Sequence, residues 1–218
     1  MKRVAFYGGS FDPVHDGHLQ IAETLTELFG LDEFWFVPAF HAPHKRGKSV
    51  TSPFCRCAML ALATNDLPKI KISTVELNAP EKPYTFETLS KLKNRLNDAQ
   101  IFFVMGADSW EEITTWREWE TVLTAVSTIV VTRPEFVIEF SHVTEEIRRR
   151  IVDLRDGKIE TAISGQNKSD KRIFITDAVN LDVSATEIRR KIRAGENGWR
   201  GLVSPQVAKY IEKYELYI

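Results

Sequence analysis

Cysteine is scarce, charge is balanced and no long apolar run occurs in this 218-residue chain, and each shortage removes a class of protein. The two cysteines, Cys55 and Cys57, stand two apart in a stretch of helical character. That spacing turns their side chains away from each other, which disfavours both a disulfide and a metal pair. A formal net charge of -1 provides no global field toward nucleic acid or a membrane surface, so any bound anion needs a local site. No segment approaches the roughly 20 apolar residues of a membrane span, and Met1–Tyr7 is too short for a signal peptide. A cytoplasmic chain forming one domain with an appendage is the expectation.

What the sequence does contain is alternation. Strand-like runs at Arg3–Tyr7, Phe34–Val37, Ile70–Leu77, Ile101–Met105, Thr128–Thr132 and Ile173–Thr176 are separated by helical patterns. The helices are expected over Leu19–Phe29 with Gly30 as a stop, after Ser52-Pro53, over Phe86–Leu96 and around Trp116–Ala125. This order predicts an α/β fold, a parallel sheet with helices on both faces. Between Pro134 and Arg172 the chain turns polar, with a helix expected near Glu145–Leu154 and a loose stretch at Ser164–Asp170; this reads as a peripheral insertion.

In parallel α/β folds, ligands gather where the carboxyl ends of strands meet helix starts. The first strand runs into Gly8-Gly9-Ser10-Phe11-Asp12-Pro13-Val14-His15-Asp16-Gly17-His18, which delivers two histidines to such a junction. Glycines admit close backbone approach, a helix start offers unpaired N–H groups, and imidazoles donate to phosphoryl oxygens, so the string is read as a phosphate site. A second junction follows the last strand candidate at Asp182-Val183-Ser184-Ala185-Thr186-Glu187-Ile188-Arg189. Ser184 with Glu187 is a capping box that needs no ligand. Thr186 and Arg189 remain over, a hydroxyl and a guanidinium on the first turn of a helix, suited to an anion.

The His15-Asp16-Gly17-His18 element matches the H-x-G-H signature of the adenylyltransferase and cytidylyltransferase superfamily, and the longer Gly8–Pro13 string resembles its bacterial nicotinate-nucleotide adenylyltransferase branch. The resemblance implies a Rossmann-like fold with a small C-terminal helical part over residues 182–218, and transfer of the AMP part of ATP to nicotinate mononucleotide, with Mg²⁺ carried on the ATP phosphates. It assigns Gly8, Gly9, Ser10, Phe11, His15 and His18 to ATP, together with Ser184, Thr186 and Arg189; Ala185 stands where the family usually has a second serine. His15, His18, Lys45 and Arg189 carry the implied catalysis. Pro38–Arg46 is similar to the family's P-P-H-K loop, with Ala42 replacing the first proline, and places His44 and Lys45 on phosphate while His41 stays unassigned.

Two stretches resemble the family's pyridine side. Tyr84 and Thr85, in Pro83–Leu89, would present a hydroxyl and helix-start N–H groups to the nicotinate carboxylate, and Thr85 or Thr88 is independently a plausible N-cap. Gly106-Ala107-Asp108-Ser109 followed by Trp116-Arg117-Glu118-Trp119 matches the family's G-x-D and W-x-x-W pattern: Gly106 and Asp108 toward adenosine, Trp116 stacked on the pyridine ring, and Trp119 in the core. Arg133 is expected near the site without a defined role. Assembly into a homo-oligomer is left open, as is the degree of preference for the acid over the amide mononucleotide. Competing readings are a phosphopantetheine adenylyltransferase or cytidylyltransferase, a relative of the class I aminoacyl-tRNA synthetases, for which the lysine-rich loop and basic surface are missing, and a nucleotide sensor that binds ATP without releasing pyrophosphate. No pairing that must be a covalent nucleophile is found.

Overall fold

A computed structural model describes residues 1–40, 51–79, 81, 83–132, 137–155, 171–179 and 183–218. Seven strands, β1 (Arg3–Gly9), β2 (Glu33–Pro38), β3 (Ile70–Ile72), β4 (Gln100–Gly106), β5 (Ser127–Val131), β6 (Ile151–Asp153) and β7 (Ile173–Thr176), form one sheet of order β3-β2-β1-β4-β5-β7-β6. The ladders β1 with β4, β4 with β5, β5 with β7 and β6 with β7 are all parallel, with Val4 opposite Ile101 and Ile129 opposite Phe174. Gln100–Met105, Ser127–Val131 and Ile173–Thr176 are buried residue after residue, not at alternate positions. That pattern belongs to strands covered on both faces, and it confirms the α/β expectation.

The helices are α1 (Asp16–Leu28), α2 (Pro53–Thr64), α3 (Thr85–Arg95), α4 (Ala107–Glu111), α5 (Trp119–Ala125), α6 (Glu145–Arg148), α7 (Ala185–Arg193) and α8 (Pro205–Lys213), with 3₁₀ turns at Ile113–Thr115 and Asn197–Leu202. Gly30, at φ 56°, stops α1: its N–H reaches the Glu27 carbonyl at 3.1 Å and that of Leu31 reaches Thr26 at 2.9 Å, a Schellman closure. Pro53 and Pro205 occupy the first turns of α2 and α8, where a missing N–H does no harm.

The chain divides into two compact units that interleave in sequence. The first comprises Met1–Tyr7, Thr24–Phe34 and Pro83–Asn180; in it α3 packs on α5, and Phe29 meets Phe102 and Phe174 at 5.7 and 5.3 Å. The second comprises Gly8–Glu23, Trp35–Lys82 and Leu181–Ile218; in it α2 packs on α8, and Ser73 donates from its N–H to the Phe36 carbonyl at 2.8 Å.

Several sequence expectations change. The run Ile70–Leu77 is a strand only to Ile72, and the polar Ser73 and Thr74 lead into a turn instead. The helix expected from Trp116 starts at Trp119, because Glu118 stands at φ 53° and breaks the helical path before it. The stretch Glu145–Leu154 is a single helical turn followed by β6, which joins the main sheet, so part of the polar insertion is an edge strand. Ser164–Asp170 lies outside the described residues. Among the described residues, no helix is long and apolar enough to cross a membrane.

Candidate active site

In the second unit the chain leaves β1 through Gly8 and Gly9 and turns at Phe11, whose φ is 47°. Phe11 is buried and stands edge-on to Phe36 at 5.1 Å and to His18 at 5.0 Å, so its ring is core and only its backbone faces outward chemistry. A Cβ on Gly9 would meet the Phe11 ring at 2.8 Å. Gly9→Ala must therefore displace that ring, and a loss of about 1–3 kcal/mol is expected in urea melts, the usual result of overpacking. An unchanged melting midpoint would show that Phe11 is not held from this side.

His15 directly precedes α1 and His18 is the third residue of its first turn. The His15 N–H donates to His18 Nδ1 at 3.2 Å, which is the reach-back half of a capping box made by an imidazole. In the neutral ring the proton then sits on Nε2, leaving that nitrogen as a donor. The two rings stack at 3.7 Å. Burial first, and the charge of His15 second, push the His18 pKa well below the usual imidazole value, so the ring is neutral at physiological pH. A side chain at Gly17 would press on the His15 ring at 3.1 Å, which explains the glycine between the histidines.

The head of α7 belongs to the same unit. Ser184 Oγ accepts from the Glu187 N–H at 3.2 Å, while the Glu187 carboxylate turns to Arg190 at 2.8 and 2.9 Å, so only one half of the expected capping box is made. Arg189 is buried; it donates from one terminal nitrogen to the Asp12 carbonyl and from the other to Thr186 Oγ1 at 3.2 Å. The first motif and the second, far apart in sequence, are thus tied by a guanidinium.

Two residues that sequence reasoning passed over support this assembly. Arg56, buried within α2, donates to the Ser10 carbonyl, to Ala39 O at 2.7 Å and to Thr51 O at 3.0 Å, fixing the backbone of the glycine loop and of the chain after β2. Its signal was a lone cation inside the apolar run Pro53–Thr64. Tyr217 donates its hydroxyl to Asp12 Oδ1 at 2.8 Å, and nothing in the sequence announces it.

The first unit holds the other expected residues. Tyr84, not Thr85 or Thr88, is the N-cap of α3: its N–H donates to Glu87 Oε2 at 2.8 Å, Thr85 opens the helix and Thr88 is buried. The Arg117 guanidinium lies 4.8 Å over the Tyr84 ring. Trp116 is half-buried beside Phe103 at 6.5 Å, and its Nε1 is buried without a partner among the described residues. Trp119 is only half-buried and is not the core tryptophan. That place belongs to Trp110, fully buried, whose Nε1 donates to Glu139 O at 2.9 Å and whose ring stands edge-on to Phe140 and His142, whereas Trp119 begins the short α5. Gly106 caps α4 with open space around its Cα, and Asp108 stands in that helix's first turn. Burial, with the Asp108 charge as the smaller cause, pushes the Tyr7 phenol up to about 12.

His41, His44, Lys45, Arg133 and Asp182 lie outside the described residues. Among the described residues, no three His, Cys, Asp or Glu side chains gather as a metal cluster; the Ser184 and Thr186 hydroxyls and the Arg189 guanidinium at the head of α7 are groups that suit an anion.

Comparison with known proteins agrees with this chemistry. The cytidylyltransferase-like family profile matches residues 6–191. A probable nicotinate-nucleotide adenylyltransferase of Symbiobacterium thermophilum is 36% identical over 218 residues, covering 100% of this chain and 96% of the relative. The nicotinate-nucleotide adenylyltransferase of Bacillus subtilis is 32% identical, covering 100% and 99%. Among solved structures, the Plasmodium falciparum nicotinic acid mononucleotide adenylyltransferase complexed with NaAD is similar in fold, with a TM-score of 0.73 at 22% identity, covering 100% of this chain and 98% of that one.

Proposed function

The chain belongs to the nicotinate-nucleotide adenylyltransferase family, and on that premise we propose that it transfers the AMP moiety of ATP to nicotinate mononucleotide, releasing pyrophosphate and forming nicotinate adenine dinucleotide for NAD synthesis. The observation that carries the reading is the union of the two phosphate motifs, with His15 and His18 at the head of α1 and Arg189 bonded both to Thr186 and to the loop that precedes them.

In this reaction a phosphate oxygen of the mononucleotide attacks the α-phosphorus of ATP and the pyrophosphate leaves in line. Positioning two anions and stabilising the charge that develops is most of the task. His18 Nε2–H, with His15 beside it, addresses the α-phosphate. Ser184, Thr186 and Arg189, with Lys45 and His44, hold the departing pyrophosphate, and Gly8, Gly9, Ser10 and Phe11 offer backbone to the nucleotide. Gly106 and Asp108 serve the adenosine half. Trp116 stacks on the pyridine ring, while Tyr84 and Thr85 serve its carboxylate. Mg²⁺ fits as a passenger of the triphosphate, where it would neutralise part of the phosphate charge, since the side chains that gather here suit an anion and not a bare cation. A cytoplasmic location accords with this substrate pair.

Pyrophosphate release tests the proposal, with Mg²⁺ and ATP held constant and the acceptor varied. Nicotinate mononucleotide should support turnover at least about tenfold better than the amide or phosphopantetheine, the scale of discrimination by one satisfied charged group. Turnover with phosphopantetheine alone would assign the chain to another branch, and ATP binding without any turnover would make it a sensor.

A further inference from the structure

We propose that Tyr217 is a positioning residue for ATP: its hydroxyl, donated to the Asp12 carboxylate, holds the backbone of Gly8–Asp12 in the shape that receives the triphosphate. The inference rests on the ATP-binding reading of that loop.

Asp12 is 1% exposed, and both of its functional ends are taken. Its carbonyl accepts from Arg189 and its carboxylate from Tyr217 at 2.8 Å. Arg56, close enough to feel the charges of Asp12 and Tyr217, donates to Ser10 O two residues away. A buried carboxylate, two buried guanidiniums and one half-buried phenol therefore back the loop, and every member bonds either its backbone or the side chain of Asp12. The segment that brings Tyr217 there is itself constrained. Beyond α8 the chain turns through Glu215 at φ 48° and Tyr217 at φ 71°, with the Leu216 N–H on Ile211 O at 3.0 Å. Non-glycine residues hold such angles only where the surroundings impose them. Burial, then the charge of Asp12, raise the Tyr217 pKa far above the phenol range, so the hydroxyl stays a donor at any working pH.

Tyr217→Phe removes the one donor and leaves the ring. Calorimetric titration with Mg·ATP, without acceptor, should show affinity reduced by at least about fivefold, the low end for losing a hydrogen bond to a charged group. In steady state the KM for ATP should rise while that for nicotinate mononucleotide stays within about twofold, a split that general destabilisation does not produce. A smaller loss of ATP affinity, or an equal loss for both substrates, overturns the proposal. Wild-type chain that binds no ATP would instead remove the proposed function, and this inference with it. Should the variant not fold, the wild type alone decides: coupling is reciprocal, so saturating Mg·ATP must slow hydrogen exchange at the Leu216 amide by at least about fivefold, and unchanged exchange overturns the proposal.

Discussion

His18→Ala is expected to lower turnover by roughly 10²–10³ while leaving the chain folded, the scale of losing one preorganised donor in the transition state. The geometry allows a finer expectation than deletion alone. His18 Nδ1 is occupied by the His15 N–H, so the donor that the proposed mechanism asks of His18 is the neutral Nε2–H. Glutamine can place an amide N–H near the same point, and His18→Gln should recover about tenfold over alanine. Single-turnover kinetics under saturating substrates would measure both. A glutamine variant no better than alanine would mean that the imidazole moves a proton, and near-wild-type turnover in alanine would remove His18 from the mechanism.

The depressed pKa gives the same residue a stability signature. The unfolded chain takes up a proton at His18 near about pH 6.5, where the folded chain does not, so its contribution favours the fold above that pH and is lost as pH falls through it. The difference in unfolding free energy between wild type and His18→Gln should therefore shift between about pH 7.5 and pH 5 in the direction of a less stable wild type at the acid end.

Arg189→Lys should weaken Mg·ATP binding by about 10² and lower stability by about 1–3 kcal/mol, because a lysine cannot serve the Asp12 carbonyl, Thr186 and a phosphate together. The two contacts occupy two of the five N–H donors of the guanidinium, and the rest remain for an anion. Calorimetry and thermal melts on one preparation separate the effects. If stability falls while ATP affinity holds, Arg189 is a structural tie and the pyrophosphate must be held elsewhere.

The candidate phosphate site was legible because His15 and His18 are contiguous with the glycines that frame them, and a loop that runs straight into a helix start carries its chemistry in one string. The parallel sheet was legible for a similar reason: uninterrupted apolar runs such as Ile101–Met105 admit few other environments. What could not be read depended on distance. Asp12 meets Arg189 across 177 positions and Tyr217 across 205; the local pattern marks Arg189 for an anion but not for Asp12, and nothing marks Tyr217. Trp119 is half-buried and not the core tryptophan that the W-x-x-W resemblance implies, because the chain turns at Glu118 through a positive φ, which no local pattern announces. β6 was hidden because three residues after a helical turn carry no period of their own.

The tie between the glycine loop and α7 also sets an order of events during synthesis. Gly8 to His18 leave the ribosome before either support exists: Asp12 acquires its guanidinium only once Arg189 has been translated and its phenol only after Tyr217. A nascent chain carrying the complete histidine motif therefore lacks one support of that loop until Tyr217 has been translated. A chain that stops between Arg193 and Tyr217 would keep the histidine motif and the guanidinium but lack the phenol.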